Sequence, residues 1–201
     1  KVTAQNGSIT TYTVTVTRSG TNPLPVVRIF DHEYADVDGI TDEMTEAARA
    51  NLHIAYWHTS HGSQIPSGLE HMDDFYGDTG RYDYGGLDGP FFDDRYETDL
   101  GNSTWDTITR DFLDDNTEIN VVMWSWCGQV SGSTEASIAD YLSRMATLES
   151  DYPGVTFVYM TGHSDGSGTS GNLHLRNQQI RDYCAANNKS LFDFYDLVCY
   201  D

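Results

Sequence analysis

Three apolar runs, each ending in a small polar turn that contains glycine, constrain the fold of this chain most. They are residues 52–57, 119–126 and 155–160, followed by the turns 58–63, 127–129 and 161–166. Apolar runs of this length, bounded by polar residues and glycine, indicate buried strands. Open α/β sheets bind ligands beyond the carboxyl ends of their parallel strands. We therefore expect the three turns to meet at one edge of a sheet and to form a site there.

Helical patterns separate these runs. The apolar spacing predicts helices over residues 41–51, 64–76, 133–150 and 173–188, and a further helix that starts at Asn102 or Ser103. Shorter apolar runs at 26–30 and 190–194 predict two more strands. Regular alternation of strand and helix predicts a mostly parallel sheet with helices on both faces.

Length and charge limit the classes of function. The chain has 201 residues, which fits one domain of ordinary size. Its 31 acidic and 11 basic residues give a formal net charge of −20, which would repel nucleic acid and anionic membranes. No apolar run reaches membrane-spanning length. Such a surface fits a secreted or salt-exposed protein, or one that binds Ca²⁺.

The three cysteines are Cys127, Cys184 and Cys199. An odd number leaves at least one thiol outside any disulfide within the chain. Cys184 and Cys199 are the candidate pair, whereas Cys127 is interpreted as a core thiol at a strand end.

The first 25 residues have a different pattern from the rest. Asn6-Gly7 between two β-branched segments predicts a hairpin over residues 1–18, and residues 19–25 have linker composition. About 17 of these residues resemble the last two strands of the cadherin-like β-sandwich modules of bacterial surface and secreted proteins. The resemblance implies a multidomain chain whose preceding domain is missing, with the main domain at 26–201. The alternative is a hairpin packed on the edge of that domain.

A long acidic loop is predicted for residues 73–94, which are rich in Asp, Gly and Tyr. A loop of this length inside a domain is usually functional. It would either line a substrate cleft with Tyr82, Tyr84, Phe91 and Phe92, or hold Ca²⁺ through its aspartates. The remaining alternative is a solvated loop.

The candidate catalytic residues lie in the three turns. Ser60 follows the first strand as a nucleophile would, although a serine there is also a common helix N-cap, and Ser63 is a second candidate. His163 would be the base, oriented by Asp165.

Two other interpretations use the same turns. His58, His61 and His163, with Asp165 as a fourth ligand, would bind zinc or a similar metal. Trp126, like Trp124, is either a core residue or a ring on which a sugar stacks.

The order of these blocks resembles the SGNH, or GDSL-type, hydrolase superfamily over about residues 51–197. His58, Thr59 and Ser60 stand where that family has its nucleophile block, and residues 121–130 (VVMWSWCGQV) stand at its third block. The resemblance implies a flavodoxin-like sheet, an esterase activity and no required cofactor. It also implies Ser60 as nucleophile and an oxyanion hole formed with Gly62, Gly128 or Gln129.

The chain departs from that family at two points. It lacks the Gly-Asp-Ser sequence, and it ends at Asp201, before the family's Asp-x-x-His pair would appear. Either the base is internal or the domain is truncated. Three hypotheses follow: a secreted or surface-bound bacterial esterase acting on acylated polysaccharide or a smaller ester, a metal-dependent enzyme, and a non-catalytic extracellular module.

Overall fold

The computed structural model describes residues 28–77, 79–86, 89 and 91–200. The hairpin predicted for residues 1–18 and the linker predicted for 19–25 lie outside the described residues, so both stay predictions. The α/β domain predicted from residue 26 is described from its first strand onward.

One sheet of six strands organises the described chain, in the order β1-β6-β5-β4-β2-β3. The strands are β1 (Arg28–Phe30), β2 (Ile54–Trp57), β3 (Phe92–Arg95), β4 (Val121–Trp124), β5 (Thr156–Met160) and β6 (Ser190–Phe192). Every neighbouring pair is parallel. The five strands β3-β2-β4-β5-β6 have the flavodoxin-like order 2-1-3-4-5, and β1 extends the sheet beyond β6. The predicted fold class is therefore confirmed.

Helices cover both faces of the sheet. They are α1 (Asp42–Asn51), α2 (Gln64–Phe75), α3 (Trp105–Asp115), α4 (Glu135–Asp151), α5 (Asn172–Ala186) and α6 (Phe194–Cys199). The larger core joins the sheet to α3, α4 and α5. A smaller core joins the other face to α1, α2 and α6. The start of α4 shows the local cause of one boundary: Thr134 and Ser137 form a reciprocal capping box.

Tryptophans form the centre of the larger core. Trp57 and Trp124 are register partners on β2 and β4, and their rings stack at 4.7 Å. Trp126 is also buried, and its indole N–H donates to the Met160 carbonyl at 3.0 Å. The structure thus places Trp124 and Trp126 in the core. Trp126 presents no free ring face to a sugar, because its surface is covered by the protein.

The sequence does not predict one strand, β3, and one helix, α6. Strand β3 overlaps the end of the loop that the sequence predicts for residues 73–94, because its sequence, Phe-Asp-Asp-Arg, contains a single apolar residue. It lies at the edge of the sheet and pairs only with β2 among the described strands. Helix α6 has only six residues, and its N-cap is Asp193, whose side chain accepts the Asp196 N–H at 3.3 Å.

All three cysteines are free, so the candidate disulfide between Cys184 and Cys199 is not formed. Cys184 packs in the larger core, where burial raises the pKa of its thiol to about 12. Cys199 is exposed at the end of α6, on the other face of the sheet. Within the described ranges, no helix is long and apolar enough to cross a membrane.

Candidate active site

The crevice at the carboxyl ends of β2 and β4 is the topological switch point of the sheet. Helix α2, which follows β2, packs on one face, and α4, which follows β4, packs on the other. The two strand ends stay paired beyond the strands, because the Ser125 N–H donates to the Trp57 carbonyl at 3.0 Å. Ligands of such sheets bind where consecutive helices diverge to opposite faces.

The turn after β2 is a short 3₁₀ helix, Ser60–Ser63, that leads directly into α2. Ser60 is exposed and has φ of +42°, a left-handed conformation that is uncommon for residues other than glycine. Within the described ranges its hydroxyl has no hydrogen-bond partner. Gly62 is enclosed: a Cβ there would lie 2.5 Å from both His58 Cβ and Ser125 Oγ, so only glycine fits.

His58 is the most enclosed polar group of the turn, with 1% of its surface exposed. Its Nε2 lies 2.5 Å from Asp94 Oδ1, its Nδ1 lies 3.4 Å from Ser63 Oγ, and its ring stacks on Tyr56 at 4.8 Å. A neutral imidazole donates from one nitrogen and accepts at the other. Because a carboxylate only accepts, Nε2 carries the proton and Nδ1 accepts from the serine. We call this chain of contacts the Ser63–His58–Asp94 relay.

The relay opens to solvent at Ser63. A shallow pocket of about 380 Å³ is lined there by Ser60, His61, Ser63, Gln64 and Ser67. Ser63 occupies the N-cap position of α2, but its side chain makes no capping hydrogen bond. Its hydroxyl is therefore available to His58 on one side and to a ligand in the pocket on the other.

His163, after β5, has one partnered and one unpartnered nitrogen. Its Nδ1 donates to the Ser164 carbonyl at 2.8 Å, whereas Nε2 is buried and has no hydrogen-bond partner among the described residues. The ring stacks on His61 with centroids 3.6 Å apart. Gly128, with φ of +88°, lies beside it: a Cβ there would be 3.6 Å from Nε2. The turns after β2, β4 and β5 therefore do converge.

Asp165 does not orient His163 as expected. Its carboxylate accepts from the Ser131 hydroxyl at 2.7 Å and from the Ser167 N–H at 2.9 Å. Hydrogen bonds from Ser167 and Ser131 lower the pKa of Asp165 to about 2. The Asp165 carboxylate therefore stabilises its own loop. The Ser164 carbonyl, and not Asp165, accepts from His163 Nδ1 and orients the ring.

Gln129 is also occupied within the protein. Its Nε2 donates to Asp99 Oδ1 at 2.9 Å, and its Oε1 accepts from the Cys127 N–H at 2.7 Å. Asp99 is buried and also accepts from the Thr59 hydroxyl and from the Gly101 N–H. Gln129 thus ties the turn after β4 to the turn after β2, and its amide is not free to bind an oxyanion.

The predicted three-histidine metal site is not assembled. His58 Nε2 is held by Asp94, and the rings of His61 and His163 lie face to face, so their nitrogens do not converge on one point. Among the described residues, one group has three side chains at metal-ligand separations: Asp31 and His32, which follow β1, and Asp196 of α6. There His32 Nδ1 contacts the Asp196 carboxylate, which identifies an ion pair between β1 and α6.

Asp94 is the site residue that the sequence analysis missed. It lies on β3 in register with Tyr56 of β2, two residues before the level of His58. The signal in the sequence is weak: Phe92 and Asp94 are two residues apart and so lie on the same face of a short strand, one apolar and the other polar. Recognising it requires β3 to be identified first.

Comparisons with protein-family models, with curated proteins and with solved structures yield no match. We therefore infer a function from the geometry of the crevice. That geometry offers a hydroxyl, an imidazole and a carboxylate in sequence, beside a solvent-accessible pocket.

Proposed function

We propose that this protein is a serine-type ester hydrolase in which Ser63 is the nucleophile, His58 the base and Asp94 the group that orients the base. The observation that carries the proposal is the Ser63–His58–Asp94 relay, with separations of 3.4 Å and 2.5 Å. Nucleophile–base contacts are often longer without substrate than in the reacting complex. The roles are those of a Ser-His-Asp triad with the two imidazole nitrogens exchanged.

The reaction would proceed in two balanced steps. Ser63 Oγ attacks the ester carbonyl carbon, its proton passes to His58 Nδ1, and the returned proton leaves with the alcohol as the C–O bond breaks. A water molecule then attacks the acyl carbon and gives one proton to His58 Nδ1. As the bond between the acyl carbon and Ser63 Oγ breaks, His58 returns that proton to Ser63 Oγ, and the acid leaves. Asp94 keeps the Nε2 proton and stabilises the imidazolium in both steps.

Helix α2 supports the developing oxyanion. It starts at Gln64, beside the nucleophile, and Ser63 makes no side-chain cap to it. The Gln64 N–H donates to the His61 and Gly62 carbonyls, so α2 contributes its dipole and not a free first amide. The positive end of a helix stabilises negative charge within its first turn.

The pocket favours a polar substrate with a short acyl group. Its lining is three serines, a histidine and a glutamine, with no apolar side chain among them. The charge of −20 disfavours polyanionic substrates. Both features support an acylated neutral polysaccharide, or a small acylated alcohol, as the substrate of a secreted or surface-bound bacterial enzyme.

Paired serine variants test this proposal with p-nitrophenyl acetate as substrate. We expect Ser63→Ala to lower kcat/KM by at least about 10³-fold, as loss of a triad nucleophile does. Ser60→Ala should leave kcat/KM near the wild-type value, and circular dichroism should show both variants folded.

Three other results would contradict the assignment. Loss of activity in Ser60→Ala alone would move the nucleophile to Ser60, as the sequence resemblance implies, with His163 Nε2 as the free base. Activity that survives in both variants but is lost on chelation would favour the metal-dependent alternative. Absence of turnover in the wild-type protein would favour a binding module.

A further inference from the structure

A second cavity, of about 250 Å³, lies along the second half of α2, away from the relay. Its lining combines apolar groups with carboxylates: Leu69 and Phe92 supply aliphatic and aromatic surface, and Glu70, Asp74 and Asp83 are exposed acids. Helix α2 begins at the active-site pocket and ends here. At 1.5 Å per residue, the first turn and Asp73 are separated by roughly 14 Å along the helix.

The outer wall of the cavity is held in place by many hydrogen bonds. Asp73 on α2 accepts from the Gly80 N–H at 3.0 Å and the Tyr82 N–H at 3.1 Å. From α1, Arg49 Nη1 donates to the Arg81 carbonyl at 2.8 Å and to the Asp83 carbonyl at 3.0 Å. The described part of this loop is therefore fixed to two helices, and the cavity beside it is a preformed site.

Tyr82 and Tyr84 give the cavity apolar surface, but neither offers an open ring face on which a sugar could stack. Tyr84 stacks on Phe91 at 4.9 Å, and the Arg49 guanidinium lies over the Tyr84 ring at 6.0 Å. Tyr82 is 3% exposed and packs against Tyr76 at 5.2 Å. Sugar stacking needs a free ring face, and both faces of Tyr84 are covered.

The charge of the lining favours a cation. Glu70 and Asp74 have no ion-pair partner among the described residues, and Asp83 accepts only the Gly85 N–H, at 2.9 Å. No basic side chain lines the cavity within the described ranges. The Arg49 guanidinium lies over the Tyr84 ring and donates to loop carbonyls, so it is engaged within the protein.

A bare metal ion fits this lining poorly. Ca²⁺ takes six to eight oxygen ligands, but in the described part of the loop no three carboxylates come within metal-ligand separation. Asp73, the best-placed acid, is already saturated by loop amides and by the Thr79 hydroxyl. The expected calcium site at 73–94 is therefore not formed by the described residues.

We propose that this cavity binds an organic cation with an apolar body, an alkylammonium group such as that of an amine or of a lysine side chain. The alkyl chain would contact Leu69, Tyr82 and Phe92, and the ammonium would lie between the carboxylates of Asp74 and Asp83. At the solvent-exposed rim of the cavity, the ammonium keeps part of its hydration, while the alkyl chain leaves water. This site is independent of the proposed esterase activity.

Isothermal titration with n-hexylammonium tests the site, with 1-hexanol and hexanoate as neutral and anionic controls of the same length. We expect saturable one-site binding of hexylammonium, with hexanol and hexanoate at least about tenfold weaker, a difference of about 1.4 kcal/mol. The double variant Asp74→Asn/Asp83→Asn should lose at least that factor. Its matched control, Asp111→Asn/Asp115→Asn on exposed positions of α3, should bind like the wild type.

Several results would overturn the proposal. Hexanol binding as tightly as hexylammonium would show an apolar cavity without charge selectivity. Equal loss in both double variants would show a general effect of net charge. Absence of saturable binding, or displacement of hexylammonium by stoichiometric CaCl₂, would exclude an alkylammonium site. Because p-nitrophenyl acetate turnover is measured separately, these outcomes are distinguishable from failure of the esterase proposal.

Discussion

The ends of β2 and β5 each present a histidine at the same edge of the sheet, yet the two residues have opposite surroundings. His58 has a carboxylate on one nitrogen, a hydroxyl on the other and Tyr56 against its face. His163 has a backbone carbonyl on Nδ1 and nothing on Nε2 among the described residues. The first histidine is preorganised for proton transfer, whereas the second is positioned but left open.

The position of each strand explains the difference. Strand β2 lies between β3 and β4, and the acidic edge strand β3 brings Asp94 to His58. Strand β5 lies between β4 and β6, and the carboxylate at the end of β6, Asp193, is already engaged by Arg181 at 2.5 Å and by Thr161 at 2.9 Å. The role of a histidine at this edge therefore depends on whether the neighbouring strand carries a carboxylate that no other group engages.

The strongest test of the comparison removes the carboxylate at the β2 end. Asp94→Asn should lower kcat for p-nitrophenyl acetate by about 10³–10⁴-fold, because an amide can donate to Nε2 and so favours the wrong imidazole tautomer. Asp93→Asn is the matched control, since Asp93 on the same strand pairs with Arg95 at the surface. Equal activity of the two variants would reduce the contacts of His58 to a structural role.

A steric substitution tests whether the β2 turn is as tightly built as its contacts indicate. Gly62→Ala should destabilise the fold by about 3 kcal/mol, the upper range for overpacking, because its Cβ would meet His58 and Ser125 at 2.5 Å. Gly132→Ala is the control, since a Cβ there meets nothing within 4 Å. Urea unfolding curves measure both, and similar midpoints would show that the turn relaxes easily.

A third histidine, His32, lies at this edge after β1. Of the substitutions considered, His32→Gln should have the smallest effect, and it tests a histidine that has a carboxylate partner outside the relay. Its hydrogen bond to Asp196 raises the pKa of His32. Burial would raise the pKa of Asp196, but hydrogen bonds from the His32 backbone and ring lower it overall. Like His58 it has a carboxylate partner, but it is partly exposed, so we expect it to affect stability only slightly.

The signs of these pKa shifts define a pH window. The contribution of His32 is fully present below the ordinary histidine pKa of about 6.5 and is lost as pH rises through the raised value. That of Asp196 is fully present above about 3.9 and is lost as pH falls through the lowered value. The Tm difference between wild type and His32→Gln should therefore be largest near pH 5 and shrink above pH 7. A pH-independent difference, or an equal one for exposed His71→Gln, would contradict the ion pair.

The sequence predicts the sheet better than the site because strands β2, β4 and β5 are specified by their own apolar composition. Strand β3 is specified by its neighbour: its single apolar residue, Phe92, becomes buried only when β2 is beside it. The convergence of the three turns followed from parallel topology alone. Which hydroxyl meets which imidazole did not, because that depends on side-chain directions within one turn.

The roles predicted for Asp165, Gln129 and Ser60 show why the sequence does not specify the hydrogen bonds of the site. Asp165 and Gln129 have the right chemistry for the roles expected of them, but nearer donors and acceptors engage them first. Ser60 occupies the position that the family resemblance indicates, yet the relay passes through Ser63, three residues later. The spacing of residues along the chain shows which residue types are present and how far apart they are in sequence. It does not show which donors and acceptors compete for the same hydrogen bond.

The pairing of β1 with β6 has a consequence for the order in which the domain assembles. The contact between His32 and Asp196 joins residues 164 apart in the chain. Closing a flexible segment of that length costs roughly 4.5 kcal/mol in chain entropy, and a three-residue strand returns few hydrogen bonds against it. We therefore expect strand β1 to dock after β6 has joined the sheet. It should be the last strand to gain, and the first to lose, protection of its amides from hydrogen exchange.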